Sequence, residues 1–571
     1  MDFRFSRQGL TPQEARLQRW FEVLPGATSW SILVGMVGLS IWKPVVAAIA
    51  VIAFDCYWLL RLFYMTIFLI VAYLRLAVEQ QTDWMARVRG LDDLGRHPSE
   101  PREAGAQRDV KQRVSRWIHR RKVQALQERG AMPPPSAAIH HLVIIPVVEE
   151  GRAVIEPGLA SLARQTFSPE QILVVLALEA RAPEPVKAQL WAMQAAYRGA
   201  FLDVLVVEHA DGRPGEARVK GANTTCAAKA AAAYFGTYGI PPQHVIVSCV
   251  DADTVMDPGY MACLTYHFLL CPERTRASFQ PIPVYHNNIW EAPGLTRVLD
   301  IGSSFFQLIE ATNPEKLVTF SSHSMSFQAL VDVGFWPVDM ISDDSAIFWK
   351  AFIHYDGAYR VVPMYVTLSM DVVSAGSWWN TIKNVYWQKR RWAWGVENFP
   401  IVLRAFTKAH RIPLVTRITH ATKLFESHVA WATWAFLLTV LSWLPAWMIW
   451  WEFSDSVLYY SAPRITAIIF HLASVALITT IVLSHLLLPR QPVKFSLMKR
   501  LGLTLEWLLV PLSATCLSAL PALDAQTRLM AGRYMEFWVT EKRRRGEEPS
   551  VVDGAKTAYD GRKVETLSRA R

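Results

Sequence analysis

Two blocks of apolar sequence bracket a long, more polar middle, and that arrangement limits what this chain can become. The first block holds residues 27–42 and 45–77, broken at Lys43-Pro44. The second holds 427–451, 465–488 and 501–523. A bilayer-spanning helix needs about 20 apolar residues, so 45–77 spans with length to spare and 27–42 spans if Lys43 snorkels. Aromatic residues gather at the run ends (Trp30, Trp58, Trp450, Trp451, Tyr459, Tyr460), as in an interfacial belt. Asp55 and Arg61 lie inside the second run and are expected to pair with each other, because an unpaired charge there is costly.

The formal net charge of +10 is compatible with nucleic acid, anionic lipid or a phosphorylated substrate. The cations crowd the apolar edges, after Leu76 and across 489–500, which favours membrane lipids and argues against nucleic acid. By the positive-inside rule the polar middle faces the cytosol, and the chain is expected to be a multi-pass protein of the inner (plasma) membrane. Three C-terminal crossings would place the basic run Lys542-Arg543-Arg544-Arg545 outside. Either 501–523, which contains Pro511 and Pro521, is re-entrant, or the charge rule fails there. The six cysteines have no metal-like spacing and no secretory signal precedes them, so they are read as reduced thiols.

The expected organisation is a basic segment and two membrane helices over 1–80, then a charged linker over 81–138 ending in Pro133-Pro134-Pro135. A cytosolic domain occupies 139–373, interfacial amphipathic helices 374–425, membrane helices 426–523 and a basic tail 524–571. Within the middle, short β-rich runs at 141–147, 171–178, 202–208 and 244–250 alternate with helical patterns at 151–166, 185–198 and 217–235. That alternation predicts an α/β domain, a mainly parallel sheet with helices on both faces. Ligands of such sheets bind beyond the carboxyl ends of the strands, so the residues following each run are the candidates.

The fourth run ends abruptly in Asp251-Ala252-Asp253. If the chain stays extended, both carboxylates point the same way and can hold a hard divalent ion; the plainer reading is a strand-ending turn. Ser342-Asp343-Asp344 precedes an apolar-periodic stretch and reads as a helix N-terminus, with Asp344 also placed to act as a general base. Ser321-Ser322-His323-Ser324 reads as a polar loop, with His323 a candidate for an acceptor site. In "NVYWQKRRWAWG", Gln388, Arg391 and Trp392 share one helical face, suited to neutralising a diphosphate and stacking on a sugar. Lys389, Arg390, Trp387 and Trp394 are assigned to the membrane surface.

D-x-D, then an acidic triplet, then Q-x-x-R-W before C-terminal membrane spans resembles the membrane-embedded family 2 glycosyltransferases, the cellulose, chitin and hyaluronan synthases and ceramide glucosyltransferase among them. The resemblance covers roughly 139–392 and the flanking spans. It implies a GT-A-type fold and inverting transfer of a sugar from a nucleotide-diphosphate sugar, a UDP-sugar by preference. The acceptor would be a polysaccharide or a lipid at the cytosolic face. By the same resemblance, Asp251 and Asp253 hold Mg²⁺ or Mn²⁺ and Asp344 is the base. Pro146, Glu149, Glu179, Lys220, Asn223 and Asp251 meet the nucleotide. Asp343, His323, Gln388, Arg391 and Trp392 serve the acceptor and diphosphate. The chain has Val148 where the family commonly has Asn, and a degenerate Ala177-Leu178-Glu179. The competing readings are a non-processive lipid glycosyltransferase and a catalytically degenerate, membrane-anchored binding or regulatory protein.

Overall fold

A computed structural model describes residues 3–94, 110–130, 132–375, 377–447, 457–489 and 496–535. Trp450, Trp451, the 542–545 cluster and the side chains of Tyr459 and Tyr460 lie outside the described residues.

Eight strands form one sheet: β1 (His140–Val147), β2 (Ile172–Glu179), β3 (Asp203–His209), β4 (Val245–Cys249), β5 (Val255–Met256), β6 (Ala277–Val284), β7 (Ser324–Ser326) and β8 (Arg360–Ser369). Their order is β3-β2-β1-β4-β7-β6-β8-β5. The four strands expected from sequence pair in parallel, β1 with β2 and β4, and β2 with β3. The second half is mixed: β7 runs antiparallel to both β4 and β6, β5 runs antiparallel to β8, and β6 is parallel to β8. Four of the seven pairings are parallel, as expected, and the three antiparallel ones make the sheet mixed in its second half. β7 is three residues long and β5 two, too short to leave a periodic signal in the sequence.

Alternation along β1 explains the layering. Val143, Ile145 and Val147 join a core with Ile155, Leu159 and Leu190 on one face. Leu142 and Ile144 join another with Ala227, Ala231, Ile347 and Phe352 on the opposite face. Strands buried on both faces read as continuous apolar runs, and β2 is buried at every position.

The Lys43-Pro44 break ends one helix, Pro12–Trp42, and starts the next, Pro44–Glu79, because proline suits a first helical position and cannot donate within a turn. Three helical stretches are long and apolar enough to cross a membrane among the described residues, 12–42, 44–79 and 498–530. The first part of the run at 427–451, up to Thr439, belongs to helix Leu414–Thr439, whose first half carries Arg417, His420, Lys423 and Glu426 and so falls short of a span; 448–451 lie outside the described residues. The run at 465–488 lies in helix Val457–Leu487. The segment 501–523 is broken into short helical pieces with a π-turn at Thr515–Ala519, which accommodates the missing N–H of Pro521.

Asp55 and Arg61 do not pair. Six residues apart on a helix they face away from each other, and Arg61 instead bridges to Glu426 and donates to the Tyr57 hydroxyl. Both nevertheless line the same cavity, described below. All six cysteines are free thiols.

Glycines permit close backbone approach at two places, one between apolar helices and one inside the α/β domain. Gly26 lies against Gln526, whose carbonyl oxygen is 2.9 Å from where a Cβ would stand. Gly221, beside Lys220, leaves still less room, since an added Cβ would be 2.2 Å from the carbonyl oxygen of Pro337. Gly221→Ala is expected to destabilise the protein by about 1–3 kcal/mol and to displace Lys220, because the obstacle is backbone and cannot rotate away. A detergent-solubilised thermal melt unchanged from wild type would contradict this packing.

Candidate active site

The carboxyl ends of β1, β2 and β4 and the N-termini of two helices meet at one rim of the sheet. Lys220, the first residue of helix Lys220–Thr237, reaches across it. Its Nζ lies 3.0 Å from Asp251 Oδ1 and 3.2 Å from Asp344 Oδ1. Burial opposes the charge on Lys220, but Asp251 and Asp344 outweigh it and hold the ammonium well above its usual range. Two motifs 93 residues apart in the chain (251 and 344) thus share one cation.

Asp251 and Asp253 are not on an extended segment. β4 stops at Cys249, and the Thr254 N–H donates to the Asp251 carbonyl at 2.9 Å, closing a turn. The plainer reading of the D-x-D motif is therefore the local geometry, and it splits the pair. Asp251 lines the cavity, and its Oδ2 accepts from the Ser321 hydroxyl. Asp253 is only 1% exposed; its Oδ2 accepts from the Asp371 N–H at 2.7 Å, and Asn287 Nδ2 donates both to the Asp253 carbonyl and to Asp371 Oδ1. Among the described residues no cluster of three or more His, Cys, Asp or Glu could hold a metal by itself. Mg²⁺ is usually held by one or two carboxylates together with substrate phosphates, so Asp251, backed by Asp253, fits such an ion only when a diphosphate completes the shell.

The Ser342-Asp343-Asp344 turn opens helix Asp343–His354, as expected. Ser342 stands at the N-cap but does not cap with its side chain; its hydroxyl donates to Glu397 Oε1 at 2.8 Å. Asp343 is 2% exposed, and burial, then the neighbouring Asp344, push its carboxyl up to about 8. Asp344 is the more open of the two, 23% exposed at its side chain, and Thr319 Oγ1 donates to its carbonyl. His323 is fully buried behind it, with Nδ1 2.9 Å from the Phe320 carbonyl and 3.8 Å from Asp344 Oδ1. The carbonyl contact assigns the proton to Nδ1, and burial lowers the imidazole pKa, so His323 is neutral. It lies behind the start of helix Asp343–His354 and is not among the residues lining the large cavity. Ser322, between Ser321 and His323, has φ of 59° while fully buried, a strained conformation of the kind that persists where surrounding contacts fix it.

A cavity of about 1340 Å³ begins at Lys220, Asp251, Asp343 and Asp344 and passes Gln388, Arg391 and Trp392. It continues between the membrane-type helices to Trp58, Trp434 and Ile469. Helix Trp378–Ala393 forms one wall, and Gln388, Arg391 and Trp392 line the cavity together as their spacing predicts. The remainder of that segment departs from expectation. Lys389 is 2% exposed, 3.0 Å from Asp300 Oδ1, with its ammonium over the Trp392 ring. Arg390 pairs with Asp524 at 2.9 Å, and Trp394 is fully buried. These three are internal struts rather than headgroup contacts, because a packed neighbour supplies each charge or ring with a partner. Trp378 and Trp379 are exposed at 50% and 73%.

The residues expected at the nucleotide are spread out. Pro146, next to last in β1, is in register with Ala177 of β2. Glu149 is exposed in the loop that follows, its N–H donating to Glu150. Glu179 ends β2, pairs with Arg181 and lines a smaller cavity of about 160 Å³ with His209, Asp211 and Glu216. Val219 borders that cavity and Lys220 the large one, so a single residue step separates them. Asn223 is 1% exposed and its Nδ2 donates to the Ala177 carbonyl at 2.7 Å, which makes it a brace between helix and strand.

Sequence reading passed over Ser321 as a partner of Asp251, and over Asp371, Glu397 and Asn398 altogether. A glutamate and an asparagine in the otherwise apolar "WGVENFPIVL" were the available signal.

Removing the shared cation is expected to be severe. Lys220→Met should cost about 2–3 kcal/mol, below the range for fully enclosed pairs because Asp251 and Asp344 remain partly open to water. It should also abolish turnover. A Lys220→Met protein with wild-type melting and activity would show that the carboxylates do not depend on this ammonium.

Residues 246–483 match the family described as glycosyl transferase family group 2. The match takes in Asp251, Asp253, Asp344 and the Q-x-x-R-W segment; β1 to β3 and Lys220 precede it. No curated protein matches the chain. Among solved structures, it resembles the mannosyltransferase PcManGT of Pyrobaculum calidifontis, in complex with GDP-Man and Mn²⁺. That likeness has 15% identity and a TM-score of 0.34, over 76% of this chain and 98% of that one. S. aureus TarS 1-349 in complex with UDP-GlcNAc is similar at 13% identity and a TM-score of 0.29, over 59% and 90%. Superpositions this loose add nothing to the family match. Over residues 246–483, which hold the D-x-D, S-D-D and Q-x-x-R-W residues, the chain is similar to family 2 glycosyltransferases.

Proposed function

We propose that this enzyme transfers a sugar, with inversion, from a nucleotide-diphosphate sugar to the hydroxyl of a lipid or glycan acceptor at the cytosolic face of a membrane. The observation that carries the proposal is the single cavity that starts at Asp251 and Asp344 and ends among membrane-type helices. Donor chemistry and an acceptor resident in the membrane can meet in one enclosed space.

The nucleoside lies toward Glu179 and the small cavity, and the diphosphate toward Lys220 and Asp251. A Mg²⁺ or Mn²⁺ ion held by Asp251, backed by Asp253, would supply charge neutralisation for the departing diphosphate. Asp344, open to the cavity and 3.2 Å from the Lys220 ammonium, takes the proton of the acceptor hydroxyl. The acceptor oxygen then bonds to the anomeric carbon as the bond to the diphosphate breaks on the opposite side. Arg391 places a fixed cation on the cavity wall near the leaving group, and Trp392 offers a ring face to the sugar or acceptor. Asp343, held protonated near neutral pH, adds no second negative charge beside the base.

Purified protein in lipid nanodiscs, screened with UDP- and GDP-sugars and Mg²⁺ or Mn²⁺, tests the reading directly. Asp344→Asn should bind donor normally and lose at least ~10²-fold in transfer, the usual scale for a general base. Full transfer by a folded Asp344→Asn protein would remove Asp344 from the role. Asp343→Asn, which imitates the protonated acid, should stay within ~5-fold of wild type at pH 7, since one neutral hydrogen-bonding group replaces another. A loss equal to that of Asp344→Asn would reverse the two assignments.

A further inference from the structure

The buried carboxylate of Glu397 has no place in the chemistry above, yet it touches the turn that carries the base. Glu397 is fully buried. Its Oε1 accepts three hydrogen bonds, from the Ile341 N–H at 3.0 Å, the Ser342 N–H at 2.9 Å and the Ser342 hydroxyl at 2.8 Å. Its Oε2 accepts from Trp394 Nε1 at 3.0 Å and lies 3.8 Å from Arg7 Nη1. The next residue repeats the link, with Asn398 Nδ2 donating to Ser342 Oγ at 3.1 Å and Ser345 Oγ at 2.9 Å.

Covalently, Glu397 belongs to the 3₁₀ turn Trp394–Glu397 that directly continues helix Trp378–Ala393. Any rotation of that helix is therefore passed to the start of helix Asp343–His354. A negative charge at a helix N-terminus is favourable, and donors in this number keep a buried carboxylate in place. Arg7 completes the site from the far N-terminal end of the chain. Its Nη2 donates to the Asp339 carbonyl at 3.0 Å, its guanidinium lies 4.4 Å from the Tyr534 ring centroid, and Ser6 Oγ donates to Asp339.

We propose that Glu397, with Arg7 as its counter-ion, is a positioning residue that ties the helix bearing Gln388, Arg391 and Trp392 to the turn bearing Asp344. Through it, engagement of the diphosphate by that helix sets where the base stands. The inference rests on the sugar-transfer reading above. Glu397 touches no substrate; its effect passes through the backbone of Ile341 and Ser342.

Glu397→Gln separates positioning from folding. The amide oxygen can still accept from Ser342, but the amide nitrogen then meets Trp394 N–H and Arg7, donor against donor. In the same nanodisc assay, kcat should fall ~10–100-fold, the scale of an ångström-sized misplacement of a catalytic group, with donor KM within ~2-fold. Glu397→Asp, which keeps the charge, should recover part of that loss. Arg7→Gln should lower kcat by a few-fold, and the double variant should lose less than the product of the single losses. A lowered melting temperature with unchanged kcat per folded molecule would make Glu397 purely structural and overturn the proposal. A donor KM raised as much as kcat falls would do the same. If wild type transfers no sugar from any donor, the sugar-transfer reading fails and this inference falls with it; if wild type transfers and Glu397→Gln matches it, only the inference falls.

Discussion

The interaction on which the site depends is the ammonium of Lys220 held between Asp251 and Asp344. It joins the end of β4 to the start of helix Asp343–His354 through a residue on a third element, helix Lys220–Thr237. Without the cation, three carboxylates, Asp251, Asp343 and Asp344, would meet at a poorly solvated rim, and the rim would open or take up protons. Gly221 makes the bridge possible, because any side chain there would collide with the Pro337 carbonyl and lift Lys220 out of reach.

Around this centre, burial divides neighbouring acids into different roles. Asp251 and Asp344 stand more open at the cavity, Asp343 borders it while only 2% exposed, and Asp253 is enclosed behind it at 1%. Asp253 is tied to the backbone of Asp371, and Asp343 is driven toward its protonated form. Two acidic pairs that look symmetrical in sequence are thus each split into a more open member and an almost fully buried one. The split follows from the turn at Asp251–Thr254 and from the start of a helix at Asp343, both of which point adjacent side chains in different directions.

Helix Trp378–Ala393, with its mixed tryptophans and cations, shows why composition alone misleads. Mixed tryptophans and cations suit a lipid surface, and Trp378 and Trp379 are exposed as such residues should be. Lys389, Arg390 and Trp394 have the same character but point inward, where Asp300, Asp524 and Glu397 complement them. Those partners lie 89 and 134 residues away for the cations and three residues on for the indole. No local pattern contains the distant pair, so only packing reveals that the helix is an internal strut with one cavity-lining face.

The sequence by itself determined the α/β middle between apolar blocks, the positions of the first four strands, the Lys43-Pro44 break and the three motifs that carry the family match. Each is a local signal: an apolar run, a proline, or acidic and basic residues at short spacing. Tertiary structure alone decided the antiparallel insertion of β7, the pairing of Arg61 with Glu426 rather than Asp55, the bracing role of Asn223 and the burial of His323. It also decided the anchorage of the Ile341–Ser342 turn by Glu397. These depend on contacts between segments far apart in the chain, and on burial, which sets how open each aspartate is to the cavity.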